Sequence, residues 1–205
     1  MPEERKLVSI LFADVTGSTA LGDGLDPEDV RALMSRYYDH ARRIIPAYGG
    51  TLEKFIGDAV MAIFGFSQAH GDDAERALAA ALALREAIGT DPVLRDRFRL
   101  RIGVNTGEVI ATSNPESLDF LITGDAVNVA ARLQQGARPG EILVNERTHF
   151  AARAAFLFEE ARDLRARGKP QPLHVFPLKG ARARSARWST RRLWVANRIS
   201  CSYKC

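Results

Sequence analysis

Two aspartates stand where short apolar runs end, and their type and position indicate a site for divalent metal ions. Asp14 closes the apolar run of residues 7–13, and Asp58 lies in a two-residue turn between two more such runs. Magnesium and manganese prefer hard oxygen ligands, usually one or two protein carboxylates with waters and phosphate oxygens. A single aspartate often only caps a turn, but two at strand ends favour metal binding.

The residues next to these aspartates are of types that contact phosphate and nucleotide. Lys54 precedes Asp58 by four residues in the same hairpin. After Asp14 comes a loop of small residues whose backbone amides can approach phosphate oxygens, which includes Gly17, Ser18 and Thr19. The loop composition also fits an ordinary strand-to-helix connection. Taken together, the carboxylates, the loop and the cation predict a nucleoside triphosphate bound with a metal.

The elements that must position these residues alternate between strand and helix. Amphipathic spacing predicts helices over residues 27–48, 72–88 and 125–135 and a short one over 145–152. Apolar runs predict strands over 7–13, 51–56, 59–64, 98–104, 118–122, 141–144 and 172–178. Asn105, Thr106 and Gly107 are expected to break the strand that begins at residue 98. This order, with its hairpin, predicts an α/β sandwich with a mixed or antiparallel sheet and flanking helices.

Length and charge indicate one domain with a different carboxyl end. The chain has 205 residues and 46% hydrophobic content, enough for one full core. Residues 181–205 contain seven Arg or Lys and no acid, so residues 1–180 hold 22 basic and 25 acidic residues. The body is therefore not expected to bind nucleic acid. We predict a folded domain over 1–180 and a basic, disordered tail over 181–205. A tail that binds a membrane surface or a partner is the alternative, since Trp188 and Trp194 lie among arginines.

The sequence has no segment that indicates a membrane or secreted protein. No apolar run approaches the roughly 20 residues that span a bilayer. The amino terminus lacks the basic region and cleavage site of a secretion signal. Both cysteines, Cys201 and Cys205, lie in the tail and are too few for a structural zinc site. We therefore expect a cytoplasmic location.

Four segments of the chain, in order, resemble the signature segments of class III nucleotidyl cyclase catalytic domains. They read DVTGST, GTLEKFIGD, RIGVNTGE and GDAVNVAAR and begin at Asp14, Gly50, Arg101 and Gly124. The resemblance covers roughly residues 6–178. It implies a ferredoxin-like α/β core that works as a head-to-tail homodimer. It also implies ATP as the substrate and two Mg²⁺ or Mn²⁺ ions in each active site at the subunit interface.

The resemblance implies roles for residues in the first half of the chain. Asp14 and Asp58 match the two metal-binding aspartates, and Val15 would lend a backbone carbonyl to one ion. Lys54 matches the lysine with which adenylate cyclases recognise adenine, where guanylate cyclases usually carry glutamate. In a symmetric dimer the aspartates of one subunit would face Lys54, Asn128 and Arg132 of the other.

The second half of the chain matches residues that act on ribose and phosphate. Asn128 resembles the asparagine that orients the ribose, and Arg132 resembles the arginine that stabilises the reacting phosphate. Arg167 and Lys169 stand where the family commonly has a Lys-Gly-Lys segment that contacts the terminal phosphates, and Arg167 is the better match. A surface turn with ordinary charges is the alternative interpretation of Arg167 and Lys169.

One base-recognition position departs from the adenylate cyclase pattern. Leu121 stands seven positions before Asn128, where Asp or Thr is usual, and leucine cannot accept a hydrogen bond from the adenine amino group. Asp119 and Thr123 lie two residues to either side and would point to the same face of a strand, so either can replace it. The preference for ATP over GTP therefore rests on Lys54.

These patterns leave two hypotheses of different classes. The first is an adenylate cyclase in signal transduction, which makes 3′,5′-cyclic AMP and pyrophosphate by metal-assisted attack of the ribose 3′-hydroxyl on the α-phosphate. The second is a degenerate cyclase module that binds nucleotide or dimerises in a regulatory role. The first is favoured by Asp14, Asp58, Asn128 and Arg132, because a binding-only module does not need a metal pair together with a transition-state arginine. Leu121 favours the second. A diguanylate cyclase is remoter, since its Gly-Gly-Asp/Glu-Glu-Phe signature is absent.

Overall fold

The computed structural model describes residues 3–16, 24–113, 120–165 and 172–183, which form nine strands and four helices. The helices are α1 (Pro27–Ala47), α2 (Asp73–Thr90), α3 (Asp125–Gly136) and α4 (Glu146–Ala152). The strands are β1 (Glu3–Val15), β2 (Gly50–Ile56), β3 (Ala59–Phe64), β4 (Leu100–Ser113), β5 (Phe120–Thr123), β6 (Ile142–Asn145), β7 (Phe156–Phe158), β8 (Arg162–Leu164) and β9 (Leu173–Ala181).

The strands form one mixed sheet. Its order is β2-β3-β1-β4-β6-β9-β7, with β5 paired to β4 and β8 paired to β9. Strand β1 lies inside the sheet, antiparallel to both β3 and β4, whereas β4 and β6 are parallel. The predicted mixed sheet with flanking helices is confirmed.

Each face of the sheet carries its own apolar core. Leu11 and Ala13 of β1 pack on the side of α1 and α2, and Ile10 and Phe12 pack on the side of α3. Because successive side chains of a strand point to opposite faces, a strand covered on both sides is apolar at consecutive positions. This explains why residues 10–13 of β1 are apolar at every position. None of the helices in the described ranges is long and apolar enough to cross a membrane.

The predicted break in the fourth strand is wrong, because β4 continues through Asn105, Thr106 and Gly107. Asn105 is buried, and its side-chain amide donates to the Ala126 carbonyl at 2.7 Å. The Thr106 hydroxyl lies 2.8 Å from that of Ser9 on β1. A Cβ atom on Gly107 would lie 2.8 Å from the Cβ atom of Ala126. The glycine therefore permits close packing of α3, which is a known use of glycine inside a strand.

Helix ends agree with the sequence signals, whereas two short strands have no such signal. Helix α1 ends at Ala47, and Gly49 follows with φ of +80°, a conformation that favours glycine after a helix. The Asn145 side chain caps α4 by accepting a hydrogen bond from the Thr148 amide at 3.0 Å. The sequence does not predict β7 or β8, because three residues show too little periodicity.

A buried carboxylate fixes α1 to the segment that follows α2. Asp91 accepts hydrogen bonds from Arg36 at 2.7 Å, from His40 at 2.8 Å and from the backbone amides of Val93 and Leu94. Burial by itself raises the pKa of the Asp91 carboxyl, but these hydrogen bonds outweigh it and hold the pKa well below its usual range. The carboxylate therefore stays charged at neutral pH and holds α1 in a fixed position over the sheet.

Candidate active site

The two aspartates predicted to bind metal lie side by side at one end of the β1–β3 pair. Asp14 is paired in register with Ala59, the residue after Asp58. Gly57 has φ of +60°, which suits glycine at the first position of a two-residue hairpin turn. Burial raises the pKa of the Asp14 carboxyl, the nearby Asp58 carboxylate raises it further, and Arg101 opposes both. The structure therefore brings the two carboxylates close enough to interact.

Asp14 is held by two side chains that the sequence analysis did not identify. Arg101, its register partner on β4, forms an ion pair with Asp14 Oδ2. Gln134 of α3 donates from Nε2 to the same oxygen at 2.8 Å. Gln134 follows Ala130 by four residues on the side of α3 that faces the sheet, and this spacing could have indicated it. These contacts fix the orientation of the Asp14 carboxylate.

The chemistry of this donor set fits a divalent metal ion. Asp14 and Asp58 offer hard oxygen ligands, and Val15 lies buried at the end of β1 beside them. Within the described ranges no group of three or more His, Cys, Asp or Glu side chains is arranged to hold a metal. Waters and substrate phosphates would complete the coordination, as is usual for magnesium. A cation between the carboxylates would also relieve their mutual repulsion.

Two consecutive tyrosines of α1 reach the backbone beside these aspartates. Tyr37 Oη donates to the Ala13 carbonyl at 3.0 Å, and Tyr38 Oη donates to the Gly57 carbonyl at 2.6 Å. Each acceptor is the residue directly before an aspartate. Burial raises the pKa of Tyr37 well above its usual range and also raises that of Tyr38, with the carboxylates adding to both shifts. Both hydroxyls therefore remain protonated donors at neutral pH.

Helix α3 carries the predicted ribose and phosphate ligands on a side away from Asp14. Asn128 is exposed and Arg132 is half-buried, and their spacing of four residues places them on one stripe. Gln134, which holds Asp14, lies roughly 120–160° around the helix from that stripe at 3.6 residues per turn. One side of α3 thus holds Asp14 of its own chain, and another side presents Asn128 and Arg132.

Arg132 also has a donor without a partner in the part of the chain that the structure describes. Among the described residues, Arg132 Nη1 is buried and makes no hydrogen bond. A buried unpaired donor costs free energy, so such groups in native structures call for an explanation. An anionic oxygen from a bound phosphate would satisfy this donor. Among the described residues, Arg101 Nε is likewise buried without a hydrogen-bond partner, although another nitrogen of that side chain binds Asp14.

Lys54 lies where the edge strand β2 is irregular. The register between β2 and β3 shifts between Leu52 and Lys54, and such bulges redirect side chains. Lys54 pairs with Met61, which packs in the core on the α3 side of the sheet, so Lys54 lies on that same face. Its side chain is exposed. The exposed Lys54 side chain can therefore contact a ligand that is bound by another chain.

The remaining predicted site residues are only partly covered by the structure. Leu121 and Thr123 lie in β5, paired with Thr112 and Ile110 of β4. Leu121 lies in the strand expected over 118–122, Thr123 follows its expected end, and the side chains of both are not described. The predicted substrate-binding residues that lie outside the described residues are Gly17, Ser18, Thr19, Asp119, Arg167 and Lys169. Their roles stay predictions.

Comparison with known sequences points to a single family. Residues 1–180 match the family model described as "Adenylate and Guanylate cyclase catalytic domain". Adenylate cyclase 1 of Rhizobium meliloti is 34% identical over 137 residues, which cover 63% of this chain and 21% of that protein. The uncharacterized protein Rv1318c of Mycobacterium tuberculosis is 32% identical over 181 residues, covering 84% of this chain and 32% of that protein. The chain therefore spans about a fifth to a third of these relatives.

Solved structures share this fold along almost their whole length. The adenylyl cyclase CyaB from P. aeruginosa superposes with a TM-score of 0.79 at 28% identity, covering 89% of this chain and 98% of that one. The guanylyl cyclase Cya2 superposes with a TM-score of 0.83 at 26% identity, covering 91% and 98%. Since one of these acts as an adenylyl cyclase and the other as a guanylyl cyclase, the shared fold does not by itself distinguish the nucleotide.

Proposed function

The chain belongs to the family of adenylate and guanylate cyclase catalytic domains, and on this basis we propose that it is an adenylate cyclase that converts ATP to 3′,5′-cyclic AMP and pyrophosphate. The observation that carries the proposal is the juxtaposition of Asp14 and Asp58 at the end of the β1–β3 pair. A module that only dimerises has no use for two interacting carboxylates. We further propose that this activity serves signal transduction in the cytoplasm.

The proposed reaction joins two parts of one substrate molecule. The ribose 3′-oxygen forms a bond to the α-phosphorus, the bond from that phosphorus to pyrophosphate breaks, and the hydroxyl proton is released. Two Mg²⁺ or Mn²⁺ ions, when bound by Asp14 and Asp58, would acidify the hydroxyl and neutralise the triphosphate. Asn128 would orient the ribose, and Arg132 would donate hydrogen bonds to the crowded phosphate through its planar, always charged guanidinium.

A head-to-tail homodimer would bring these groups together. The side of α3 that touches Asp14 is not the side that carries Asn128 and Arg132, so one chain presents its metal site and its phosphate ligands in different directions. A second copy in the opposite orientation would place Arg132 of one chain over Asp14 and Asp58 of the other. Each active site would then consist of residues from two subunits.

The interfacial site predicts complementation between inactive variants. Asp58→Ala and Arg132→Ala should each be inactive alone, but their heterodimer should contain one site with all its groups. Mixing the two purified proteins in equal amounts should restore about one quarter of the wild-type rate at random pairing, measured as cyclic AMP formation. Mixing Asp58→Ala with Asp14→Asn is the control, because every site then lacks a metal ligand. No recovery in the first mixture would contradict a shared site.

The choice of ATP over GTP rests on Lys54, which is exposed on the α3 side of the sheet. A lysine can donate a hydrogen bond to N1 of adenine, which is an acceptor, whereas N1 of guanine is protonated and calls for an acceptor such as glutamate. Leu121 supplies no second polar partner. We therefore propose a preference for ATP that is real but moderate.

A comparison of the two nucleotides tests the proposed function directly. Purified protein with Mn²⁺ should form cyclic AMP from ATP with kcat/KM about tenfold above that for cyclic GMP formation from GTP. Chromatographic separation of the products identifies each one. Lys54→Glu should reverse or abolish the preference while the metal site stays intact. If neither product forms at high protein concentration, the regulatory module, which Leu121 favours, becomes the better interpretation.

A further inference from the structure

We propose that Tyr37 and Tyr38 of α1 are positioning residues that jointly set the separation of the two metal-binding aspartates. Each hydroxyl donates to the carbonyl of the residue directly before an aspartate, Ala13 before Asp14 and Gly57 before Asp58. The inference rests on the proposed function, in which Asp14 and Asp58 bind metal. It adds a role for a helix that contributes no metal ligand.

The ring of Tyr37 is held in place by burial and by contacts with two other rings. The side chain is completely buried, and its ring packs edge-on against Phe98 with ring centroids 6.3 Å apart. It also contacts the ring of Tyr38 at 5.5 Å. With the ring fixed, the hydrogen bond from Tyr37 to the Ala13 carbonyl fixes the peptide unit that leads into Asp14.

Tyr38 makes the corresponding contact with the hairpin turn. Its ring packs on Phe55 of β2 with centroids 4.3 Å apart, and the guanidinium of Arg42 lies over the same phenylalanine at 4.9 Å. The hydroxyl then donates to the Gly57 carbonyl at 2.6 Å. Because Gly57 and Asp58 form the whole turn, a hydrogen bond to this carbonyl holds the peptide that carries the Asp58 side chain.

The two hydrogen bonds come from adjacent residues of one helix, so together they set the distance between the peptide before Asp14 and the peptide before Asp58. Helix α1 is itself fixed, because Asp91 binds both Arg36, the residue before the two tyrosines, and His40, two residues after them. The strand end at Asp14 and the turn at Asp58 are thus both held by hydrogen bonds from α1. Metal coordination depends on ligand placement to within fractions of an ångström, so loss of either bond should weaken metal binding more than it weakens the fold.

Removal of single hydroxyl groups tests this role while the rings stay in place. Tyr38→Phe and Tyr37→Phe should each weaken Mn²⁺ binding about tenfold, measured from the electron paramagnetic resonance signal of free Mn²⁺ with a non-cyclisable ATP analogue present. Turnover of Tyr38→Phe should recover at high Mn²⁺ concentration, with an unchanged KM for ATP. The control is Tyr48→Phe, which removes a buried hydroxyl roughly 16 Å further along the helix axis and should leave Mn²⁺ affinity unchanged.

The same measurements separate failure of this inference from failure of the proposed function. Asp58→Ala supplies the reference for a site that has lost a ligand. If Asp58→Ala weakens Mn²⁺ binding and both tyrosine variants match the wild type, the positioning role is overturned. If the wild type and Asp58→Ala bind Mn²⁺ equally, the metal assignment falls, and the positioning role falls with it. A loss of affinity that merely follows the unfolded fraction, measured by circular dichroism at the same temperature, would also overturn the positioning role.

Discussion

Asp58→Ala should lower the rate of cyclic AMP formation by about 1000-fold or more, because two-metal catalysis contributes several kcal/mol of transition-state stabilisation. The fold should remain intact. Asp58 is half-buried at the second position of a hairpin turn, and its backbone does not have the positive φ that would require glycine. Turnover with saturating Mn²⁺ and ATP, beside a thermal unfolding curve, measures both quantities. Retention of a tenth of the wild-type rate would contradict the assignment of Asp58 as a metal ligand.

Two further variants sharpen this test. Asp39→Ala removes a carboxylate from α1 whose side chain is 72% exposed and paired with Arg42, so it should change neither rate nor stability appreciably. Asp14→Asn should be as inactive as Asp58→Ala, but its effect on stability combines two opposing changes. It removes a charge that burial and Asp58 disfavour, and it leaves the half-buried Arg101 guanidinium without its counter-charge. Asp58 is therefore the cleaner position for separating catalysis from folding.

Arg132→Ala should lower kcat by about 100- to 1000-fold while changing KM for ATP by less than about threefold. This split is expected when a donor interacts mainly with charge that develops in the transition state. The variant should not be less stable than the wild type, because Arg132 Nη1 is a buried donor with no acceptor among the described residues and its removal ends that cost. Steady-state kinetics at saturating Mn²⁺ and a melting curve provide the two measurements.

The control for Arg132 is another arginine of similar chemistry. Arg147 is exposed on α4, and Arg147→Ala should leave kcat and KM unchanged. Arg132→Lys should recover only part of the lost rate, because lysine keeps the charge and loses the planar fork of donors. An equal loss of kcat/KM through KM alone would show that Arg132 binds the substrate uniformly and has no special role in the transition state.

The local parts of the site could be predicted from the sequence, and the parts that depend on tertiary register could not. Asp14 and Asp58 are marked by apolar runs that end beside them, and a hairpin brings Asp58 back to β1. Arg101 and Gln134 reach Asp14 across 87 and 120 residues of sequence. No local pattern gives that register, because strand pairing is decided by which faces are buried.

The other differences between expectation and structure come from residue types that can serve either of two structural purposes, such as glycine and tyrosine. Gly107 was expected to end a strand, but it permits the close approach of Ala126 within one. Tyr37 and Tyr38 lie on the apolar side of α1, and their rings alone explain that spacing. Their hydroxyl groups make hydrogen bonds that periodicity does not detect, since a tyrosine packs with its ring and donates with its hydroxyl group.

The two sides of α3 have a consequence for how a pair of active sites would behave. In the proposed dimer each copy of this helix steadies a carboxylate in one catalytic centre through Gln134 and delivers Arg132 to the other centre. A slide or rotation of the helix would then loosen one centre and misalign its twin in the same movement. The two centres would therefore be coupled, so a movement of the helix caused at one centre would change the geometry of the other without a separate regulatory domain.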